Sequence, residues 1–310
     1  MTTVLITHAA CLDHDTGPYH PECSERLQAV LDALEAPEFA MLPRESAPEA
    51  TIEQLIRVHP RPYVEAILAI HPDPGSRVQL DGDTAMSEGS VEAISRAAGA
   101  AVLGVDLVMS GKARSAFAAV RPPGHHAEPA RAMGFCFFNN VAVAALHARA
   151  QWGVQRVAVV DFDVHHGNGT QAMFAQDKDL FYASSHQSPC YPGTGEAWDR
   201  GIADNIVNAP LRPHEGSAAF RSAWERDILP ELNRFAPGLL IISAGFDAHK
   251  DDPLAQLRVE TADFAWLTDQ LLAVADAHCG GRVVSVLEGG YDLHALAESV
   301  TVHVRSLMRA

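Results

Sequence analysis

RVAVVDFDVHHGNGT, residues 156–170, is the stretch that decides the fold: an apolar run that ends in carboxylates, imidazoles and glycines. Residues 157–160 are small or β-branched, which favours a strand buried on both faces of a parallel sheet. If the extended conformation continues, Asp161, Asp163 and His165 alternate onto one side. This predicts a metal site, because such a group would repel or stay unsatisfied without a cation. A polar strand end with solvated charges is the simpler alternative.

The glycines that follow predict a turn and then a helix. Gly167 and Gly169 permit a tight change of direction. Thr170 can then cap a helix over residues 171–174. The stretch therefore predicts a strand, a turn and a helix, with the polar side chains at the junction.

Size and charge limit the classes of protein to consider. The 310 residues are 47% hydrophobic and 20% charged, which is enough for a large core, and we expect one domain over residues 1–310. The formal net charge of -16 argues against nucleic-acid partners, since phosphate contacts need a basic face. An acidic surface suits cationic substrates instead.

Cysteine usage and hydropathy indicate the compartment. The five cysteines form no CxxC pair and no disulfide framework. The N-terminal sequence lacks the pattern of a signal peptide, and no apolar run has the length of a membrane span. We therefore expect a soluble, cytoplasmic protein with no membrane partner. A homo-oligomer stays open.

Strand and helix patterns alternate along the chain. Strands are predicted at residues 4–7, 116–120, 157–160, 180–184, 239–243 and 283–287. Helices are predicted at residues 25–34, 60–70, 89–109, 141–152, 218–235, 263–278 and 293–308. Alternation predicts a three-layer α/β fold with a mainly parallel central sheet. In such sheets ligands bind at the carboxyl ends of the strands, where four of the predicted strands lead into polar loops.

Six motifs in those loops, taken in order, resemble the zinc-dependent histone deacetylase family in its class II-like branch. The motifs are RPPGHHA (121–127), GFCFFNN (134–140), DFDVHHGNGT (161–170), YPGTG (191–195), SAGFDAH (243–249) and LEGGY (287–291). The resemblance starts near residue 20 and reaches the final helix. It implies the arginase/deacetylase fold, with the active site at the carboxyl ends of the strands, and removal of acyl groups from linear amines.

The resemblance assigns the metal ligands and the group that stabilises the oxyanion. Asp163, His165 and Asp247 match the family's metal ligands, and Tyr291 matches its transition-state tyrosine. Two aspartates and one histidine leave coordination positions open, as a catalytic metal requires. Zn²⁺ is expected, and Fe²⁺ stays open because this donor set suits either metal.

The tandem histidines match the family's proton-transfer pair. By resemblance, Asp161 orients His125. Asn168 stands where class I members carry an aspartate, and a neutral amide raises an imidazole pKa less than a carboxylate would. The class II branch suggests His126 as the base, but the sequence alone leaves the choice open.

A structural monovalent cation, K⁺, is also implied by the family. Asp161, Asp163, His165, Ser184 and Ser185 match the positions that would hold it, largely through backbone oxygens. A strand-end aspartate satisfied by backbone amides is the alternative for Asp161. The neighbouring His166 is interpreted as structural.

The substrate-binding positions come from the same resemblance. Phe135 and Tyr191 match two aromatic tunnel walls, and Gly134 precedes Phe135 in its motif. Leu254 stands where polyamine-specific relatives carry a glutamate that meets a secondary ammonium, so an acylated lysine peptide is the expected partner. Asp83 matches an aspartate that binds the substrate backbone, although a solvated turn residue is nearly as good an interpretation.

Three other functions are alternatives to a lysine deacetylase. A dimanganese ureohydrolase would need more carboxylates than this pattern supplies. A noncatalytic acyl-lysine binding protein would have lost a ligand or the tyrosine. A hydrolase of acetylated polyamines or other small acylated amines would use the same centre and stays open.

Overall fold

A central sheet of eight strands, all parallel, organises the protein, whose computed structural model describes residues 2–309. Residues 2–309 contain the strands β1 (Thr3–Thr7), β2 (Arg44–Ser46), β3 (Val78–Asp81), β4 (Thr84–Met86), β5 (Ser115–Ala118), β6 (Val157–Asp161), β7 (Leu180–Gln187), β8 (Ile206–Leu211), β9 (Leu239–Ala244) and β10 (Val283–Leu287). All of them except β3 and β4 belong to the eight-stranded sheet. The order in the large sheet is β2-β1-β5-β10-β9-β6-β7-β8. β3 and β4 form a separate antiparallel pair.

Helices cover the sheet to give the expected three-layer architecture. They are α1 (Ser24–Ala33), α2 (Ile52–Leu55), α3 (Arg61–Leu68), α4 (Ser90–Met109), α5 (Asn140–Trp152), α6 (Asn168–Phe174), α7 (Ser217–Ala223), α8 (Leu229–Phe235), α9 (Thr261–His278) and α10 (Leu293–Arg309). Helices α4 and α5 pack on each other and on the central strands, and α1, α9 and α10 form a second packed group. Within residues 2–309, no helix is long and apolar enough to cross a membrane.

Small residues let α4 approach the sheet closely. A Cβ placed at Gly104 would lie 2.9 Å from a methyl group of Val284, and one at Gly99 would overlap the backbone of Pro48. The helix therefore lies at a distance that larger side chains would not allow. The central strands are buried along their whole length, as expected for parallel strands covered on both faces.

Sheet order brings the four predicted polar strand ends together. β5, β10, β9 and β6 are consecutive neighbours in the sheet although they are far apart in the chain. Because all four strands are parallel, their carboxyl ends lie at the same edge. The loops that follow them meet there and form the candidate site.

The end of β6 differs from the sequence prediction. The strand stops at Asp161, so Asp161, Asp163 and His165 do not share one face of an extended strand. The Asp161 carboxylate accepts the backbone N–H of Asp163 at 3.1 Å, and the Asp163 carboxylate accepts that of His165 at 2.8 Å. These local side-chain bonds compete with extended structure and turn the chain.

The predicted helix cap at Thr170 is also wrong. Helix α6 already begins at Asn168, which places Thr170 in its first turn. The Thr170 hydroxyl accepts a hydrogen bond from the side chain of Asn139 at 3.0 Å. The residue thus connects α6 to the start of α5.

Four strands and one irregularity were not predicted. β2 is fully exposed and β8 contains Pro210, so neither has the apolar pattern of a central strand; both lie at the edges of the sheet, where proline is tolerated. The β3–β4 hairpin carries Asp83 in its turn. The predicted helix over residues 218–235 is interrupted by a π-helical segment, Trp224–Ile228.

Candidate metal and catalytic site

Three buried side chains at the ends of β6 and β9 form one cluster. Asp163, His165 and Asp247, called here the Asp-His-Asp cluster, offer donor atoms that all lie within 4.8 Å of one another. His165 Nδ1 is 3.1 Å from Asp163 Oδ1 and 3.1 Å from Asp247 Oδ2. The resemblance grouped these three residues as metal ligands, and the fold places them next to one another.

Backbone groups hold both carboxylates in place. The N–H of Val164 donates to Asp247 at 2.7 Å, and the N–H of Gly289 donates to Asp163 at 2.8 Å. A side chain at Gly289 would collide with both carboxylates, so glycine is required for this close approach. These bonds fix the orientation of the two carboxylates in the cluster.

The electrostatics of the cluster fit a bound cation. Burial and the neighbouring charge of Asp163 raise the pKa of Asp247 to about 7. Burial disfavours protonated His165, but hydrogen bonds to the two carboxylates outweigh it and raise the His165 pKa well above its ordinary value. A field that draws a proton to an imidazole also favours a metal ion. The donor set, one imidazole and two carboxylates, suits a divalent metal.

His125 lies beside the cluster and is paired with a carboxylate. Its Nδ1 is 2.9 Å from Asp161 Oδ2, and its Nε2 is 3.8 Å from Asp163 Oδ2. Burial lowers the His125 pKa, but the charges of Asp161 and Asp163 outweigh burial and raise it to about 10. Tyr182 donates its hydroxyl to the same Asp161 oxygen at 3.1 Å. His125 is therefore held as the charged member of the pair.

His126 is paired with an amide instead. Its Nδ1 is 2.8 Å from Asn168 Oδ1, and the two histidine ring centroids are 4.0 Å apart. Burial and the charges of His125 and His165 lower the His126 pKa well below its ordinary value. Asn168 donates in turn to Glu128 at 2.9 Å. A neutral imidazole next to the cavity has the protonation state that a general base requires.

A cavity of about 240 Å³ opens onto these groups. Its walls are Asp83, His126, Gly134, Phe135, His165, Tyr191, Leu254 and Tyr291. All five residues that the sequence suggested for substrate binding are among them. The lining is mostly apolar with a few convergent polar groups, as in small-molecule sites generally.

The aromatic walls are positioned by ring contacts and by the turn at Gly134. Tyr191 meets His126 edge-on at 5.1 Å between centroids, and Phe135 meets Tyr291 at 5.9 Å. A Cβ at Gly134 would lie only 2.5–2.9 Å from the His126 side chain. Asp83 accepts the Gly134 N–H at 3.2 Å, so this rim aspartate also fixes the turn that presents Phe135.

Tyr291 lies between the cavity and a second group of buried charges. The guanidinium carbon of Arg26 is 4.7 Å from the centre of its ring, a distance typical of a cation–π contact. Burial raises the pKa of the Tyr291 phenol well above its usual range, and Arg26 opposes that shift. The hydroxyl is thus kept protonated and able to donate.

The second group, called here the arginine cluster, consists of Glu22, Arg26 and Arg121. Arg121 Nε is 2.7 Å and Arg26 Nη1 is 3.1 Å from Glu22 Oε1. Arg26 also donates to the carbonyls of Gly290 and Glu288 at 2.5 and 2.6 Å. Arg26 therefore locks the loop that carries Tyr291, and Arg121 supports it through the shared Glu22. Sequence reasoning missed this role because Arg26 lies 264 and 262 residues away from its two carbonyl partners.

Glu288 is another missed residue, although it belongs to a recognised motif. Its carboxylate accepts the N–H groups of Gly124 and His125 at 2.6 and 3.2 Å and the hydroxyl of Ser243 at 3.0 Å. It joins the loop after β5 and the end of β9 to the loop after β10. An acid directly after an apolar strand and before a Gly-Gly pair was the sequence feature that could have indicated this role.

The positions suggested for a monovalent cation are close together, but their hydroxyls have protein partners. Ser184 Oγ is 2.9 Å from His186 Nδ1, and Ser185 Oγ accepts from Trp224 at 3.0 Å. Both nitrogens of His166 are bonded, to Thr194 and Gln171 at 2.8 Å each, which agrees with a structural role. A cation site here stays a prediction.

Comparisons with known proteins agree with this geometry. The family model for the histone deacetylase domain matches residues 20–307. A histone deacetylase-like amidohydrolase of Pseudomonas aeruginosa is 43% identical over 278 residues, which covers 87% of this chain and 71% of that protein. Histone deacetylase 14, chloroplastic, of Arabidopsis thaliana is 40% identical over 319 residues, covering 97% and 75%.

The same relationship is found among solved structures. The HD domain of HDA15 superposes with a TM-score of 0.93 at 35% identity, covering 99% of this chain and 88% of that one. A parallel α/β protein with a buried Asp-His-Asp cluster at its strand ends fits the class of deacetylases and amidohydrolases. The chain belongs to the histone deacetylase domain family, whose relatives are named deacetylases and amidohydrolases.

Proposed function

We propose that the protein is a zinc-dependent deacetylase that hydrolyses the side-chain amide of acetylated lysine in peptides or proteins. The observation that supports this most directly is the Asp-His-Asp cluster, whose His165 lines the same cavity as His126 and Tyr291. Donors for a metal, a base and an oxyanion donor thus border one space. This is the set of groups that metal-assisted hydrolysis of an amide requires.

The residues of the chain would share the work as follows. A divalent ion held by the Asp-His-Asp cluster would polarise the amide carbonyl and lower the pKa of a water molecule. Neutral His126 is suited to accept the proton of that water and return it to the leaving amine. His125, kept charged by Asp161, stabilises negative charge that develops nearby. Tyr291 donates its hydroxyl to the oxyanion.

The cavity walls support an acylated lysine as the substrate. Phe135 and Tyr191 would flank the four methylenes of the side chain, each CH₂ contributing about 0.8 kcal/mol on burial. Leu254, which is 37% exposed in the cavity wall, is apolar at the position where the resemblance expects a second ammonium of a polyamine, so that ammonium would lose water without gaining a carboxylate partner. Asp83 at the rim offers an acceptor for a peptide N–H. K⁺ bound near Ser184 remains part of this proposal as a structural ion.

Activity profiling tests the proposal. Purified protein loaded with zinc should hydrolyse acetyl-lysine peptides with a higher kcat/KM than N-acetylputrescine or N-acetylspermidine. The reverse preference would assign the protein to the hydrolases of acetylated polyamines. Tight binding of the peptide without any release of acetate would make it an acyl-lysine binding protein.

A further inference from the structure

Asp252 is a buried carboxylate outside the Asp-His-Asp cluster that joins two loops of the cavity. Its side chain is almost entirely buried, at 8% exposed. One oxygen accepts the backbone N–H of Leu254 at 2.9 Å, and the other accepts that of Tyr291 at 2.7 Å. The two loops follow β9 and β10, so a single side chain connects the wall at Leu254 to the tyrosine that faces the substrate.

These two hydrogen bonds are the main interactions that offset the cost of burying the Asp252 carboxylate. Among residues 2–309, no lysine, arginine or histidine nitrogen forms an ion pair with this carboxylate. A buried carboxylate without a cation costs free energy unless N–H groups satisfy it. Both of its oxygens accept backbone N–H groups of residues that line the cavity. These are residues whose position affects how the substrate is held.

Tyr291 needs an external point of attachment because the chain before it is glycine. Gly289 and Gly290 precede it, and Gly290 has φ +124, a conformation that other residues rarely adopt. Arg26 holds the Gly290 carbonyl from one side. Asp252 holds the Tyr291 N–H from the other side. Between them they determine where the phenol points.

We propose that Asp252 is a positioning residue for the reaction: it fixes the backbone of Tyr291, so that the hydroxyl stays directed at the oxyanion, and holds the Leu254 wall in register with it. The inference rests on the proposed function, since it acts through the role of Tyr291. A displacement of a catalytic group by about 1 Å can cost up to about 10²-fold in rate. Asp252 would therefore control kcat without touching the substrate.

A double-mutant cycle tests this role. The Asp252→Asn variant keeps the size of the side chain but replaces one acceptor with an NH₂ group that faces an N–H. We expect kcat on an acetyl-lysine peptide to fall by about 10- to 100-fold, with wild-type zinc content. In a Tyr291→Phe background the same change should cost less than about 3-fold, because the hydroxyl that it positions is already gone.

Asp251→Asn is the matched control. Asp251 is the adjacent acid, its side chain is 60% exposed, and among residues 2–309 it forms an ion pair with His249 alone. Its substitution should leave kcat and KM at wild-type values. Asp252→Ser provides a second variant if Asp252→Asn does not fold, since a hydroxyl can still accept one of the two N–H groups.

The outcomes separate this inference from the proposed function. Full activity of Asp252→Asn beside an impaired Tyr291→Phe would overturn the inference alone. Equal losses from Asp252→Asn in both backgrounds would also overturn it, as would loss of zinc or of folding in both Asp252 variants, since each result assigns the residue to the metal site or to stability. Wild-type turnover of Tyr291→Phe would overturn the oxyanion role and this inference together.

Discussion

Two buried charged clusters lie at the same edge of the sheet, and they are balanced in opposite ways. The arginine cluster contains one carboxylate and two guanidinium groups, all at most 1% exposed. The Asp-His-Asp cluster contains two carboxylates and one imidazole, also buried. A buried charge is stable only when it is paired. The arginine cluster therefore neutralises its carboxylate with the chain's own cations, whereas the Asp-His-Asp cluster has two carboxylates for one imidazole, an excess of acid that the proposed metal would balance.

The largest expected effect on turnover comes from removing one carboxylate of the Asp-His-Asp cluster. Asp247→Asn keeps the shape of the side chain but removes a candidate ligand, so metal content should fall. Turnover of an acetyl-lysine peptide should fall by more than about 10³-fold, since metal stabilisation of a transition state is worth several kcal/mol. Elemental analysis and kcat/KM measure both effects. A fully loaded and fully active Asp247→Asn would remove Asp247 from the site.

The matching change in the arginine cluster removes its one carboxylate, that of Glu22. Glu22→Gln leaves two buried guanidinium groups without their counter-ion, and breaking such a pair costs about 3–5 kcal/mol. The free energy of unfolding from chemical denaturation at pH 7 should fall by that amount. Glu38→Gln is the control, because the exposed pair of Glu38 with Arg305 should contribute less than about 1 kcal/mol.

The pH dependence of this effect has a defined sign. Burial raises the Glu22 pKa, but Arg121 and Arg26 outweigh burial and lower it to about 2. A carboxyl whose pKa is lower in the folded state stabilises the protein above its unfolded pKa, and that stabilisation is lost as the pH falls towards the folded value. The difference in unfolding free energy between wild type and Glu22→Gln should therefore shrink from about pH 5 to about pH 2. A difference that grows in acid would contradict this account.

Tyr291 lies where the two clusters meet, and it gives the next effect in size. Tyr291→Phe keeps the ring over Arg26 but removes the hydroxyl. We expect normal folding and metal content, with kcat lowered by about 10²–10³-fold, the usual cost of removing one oxyanion donor. Steady-state kinetics together with elemental analysis provide the measurement. Near wild-type turnover would show that another group stabilises the oxyanion.

The smallest expected effect comes from adding a carboxylate that nothing in the cavity balances. Leu254→Glu places a charge in the apolar wall, and only a substrate with a second ammonium would pair with it. The ratio of kcat/KM for acetyl-lysine peptide over N-acetylspermidine should fall by about 10-fold, worth 1.4 kcal/mol. Leu254→Gln, which has a similar size and no charge, is the control. An unchanged ratio would show that this wall does not select the substrate.

Much of the fold could be predicted from residue patterns because its central strands are continuous apolar runs. β6, β9 and β10 were all expected to within one residue. β2 was missed because its residues are all exposed, and β8 was missed because Asn208 and Pro210 interrupt its apolar pattern; an edge strand tolerates both features. The assumption that β6 stays extended through His165 failed, because the Asp161 and Asp163 side chains bond to the backbone and turn it.

Only part of the candidate site could be predicted from the sequence. Resemblance placed the Asp-His-Asp cluster, the tandem histidines and Tyr291 at one edge of the sheet, where the structure has them. Arg26, Asp252 and Glu288 were not assigned roles, because each acts through a contact with a distant loop. Such contacts depend on the order of the strands in the sheet, which no local pattern contains.

Metal reconstitution tests the central proposal, that the Asp-His-Asp cluster binds one catalytic divalent metal. Protein stripped by stringent chelation should contain neither zinc nor iron and should not release acetate from an acetyl-lysine peptide. Added Zn²⁺ should restore activity with a sharp break at one equivalent, and the Asp247→Asn protein should not respond. Full activity after stringent chelation, with no stoichiometric zinc or iron, would contradict the account.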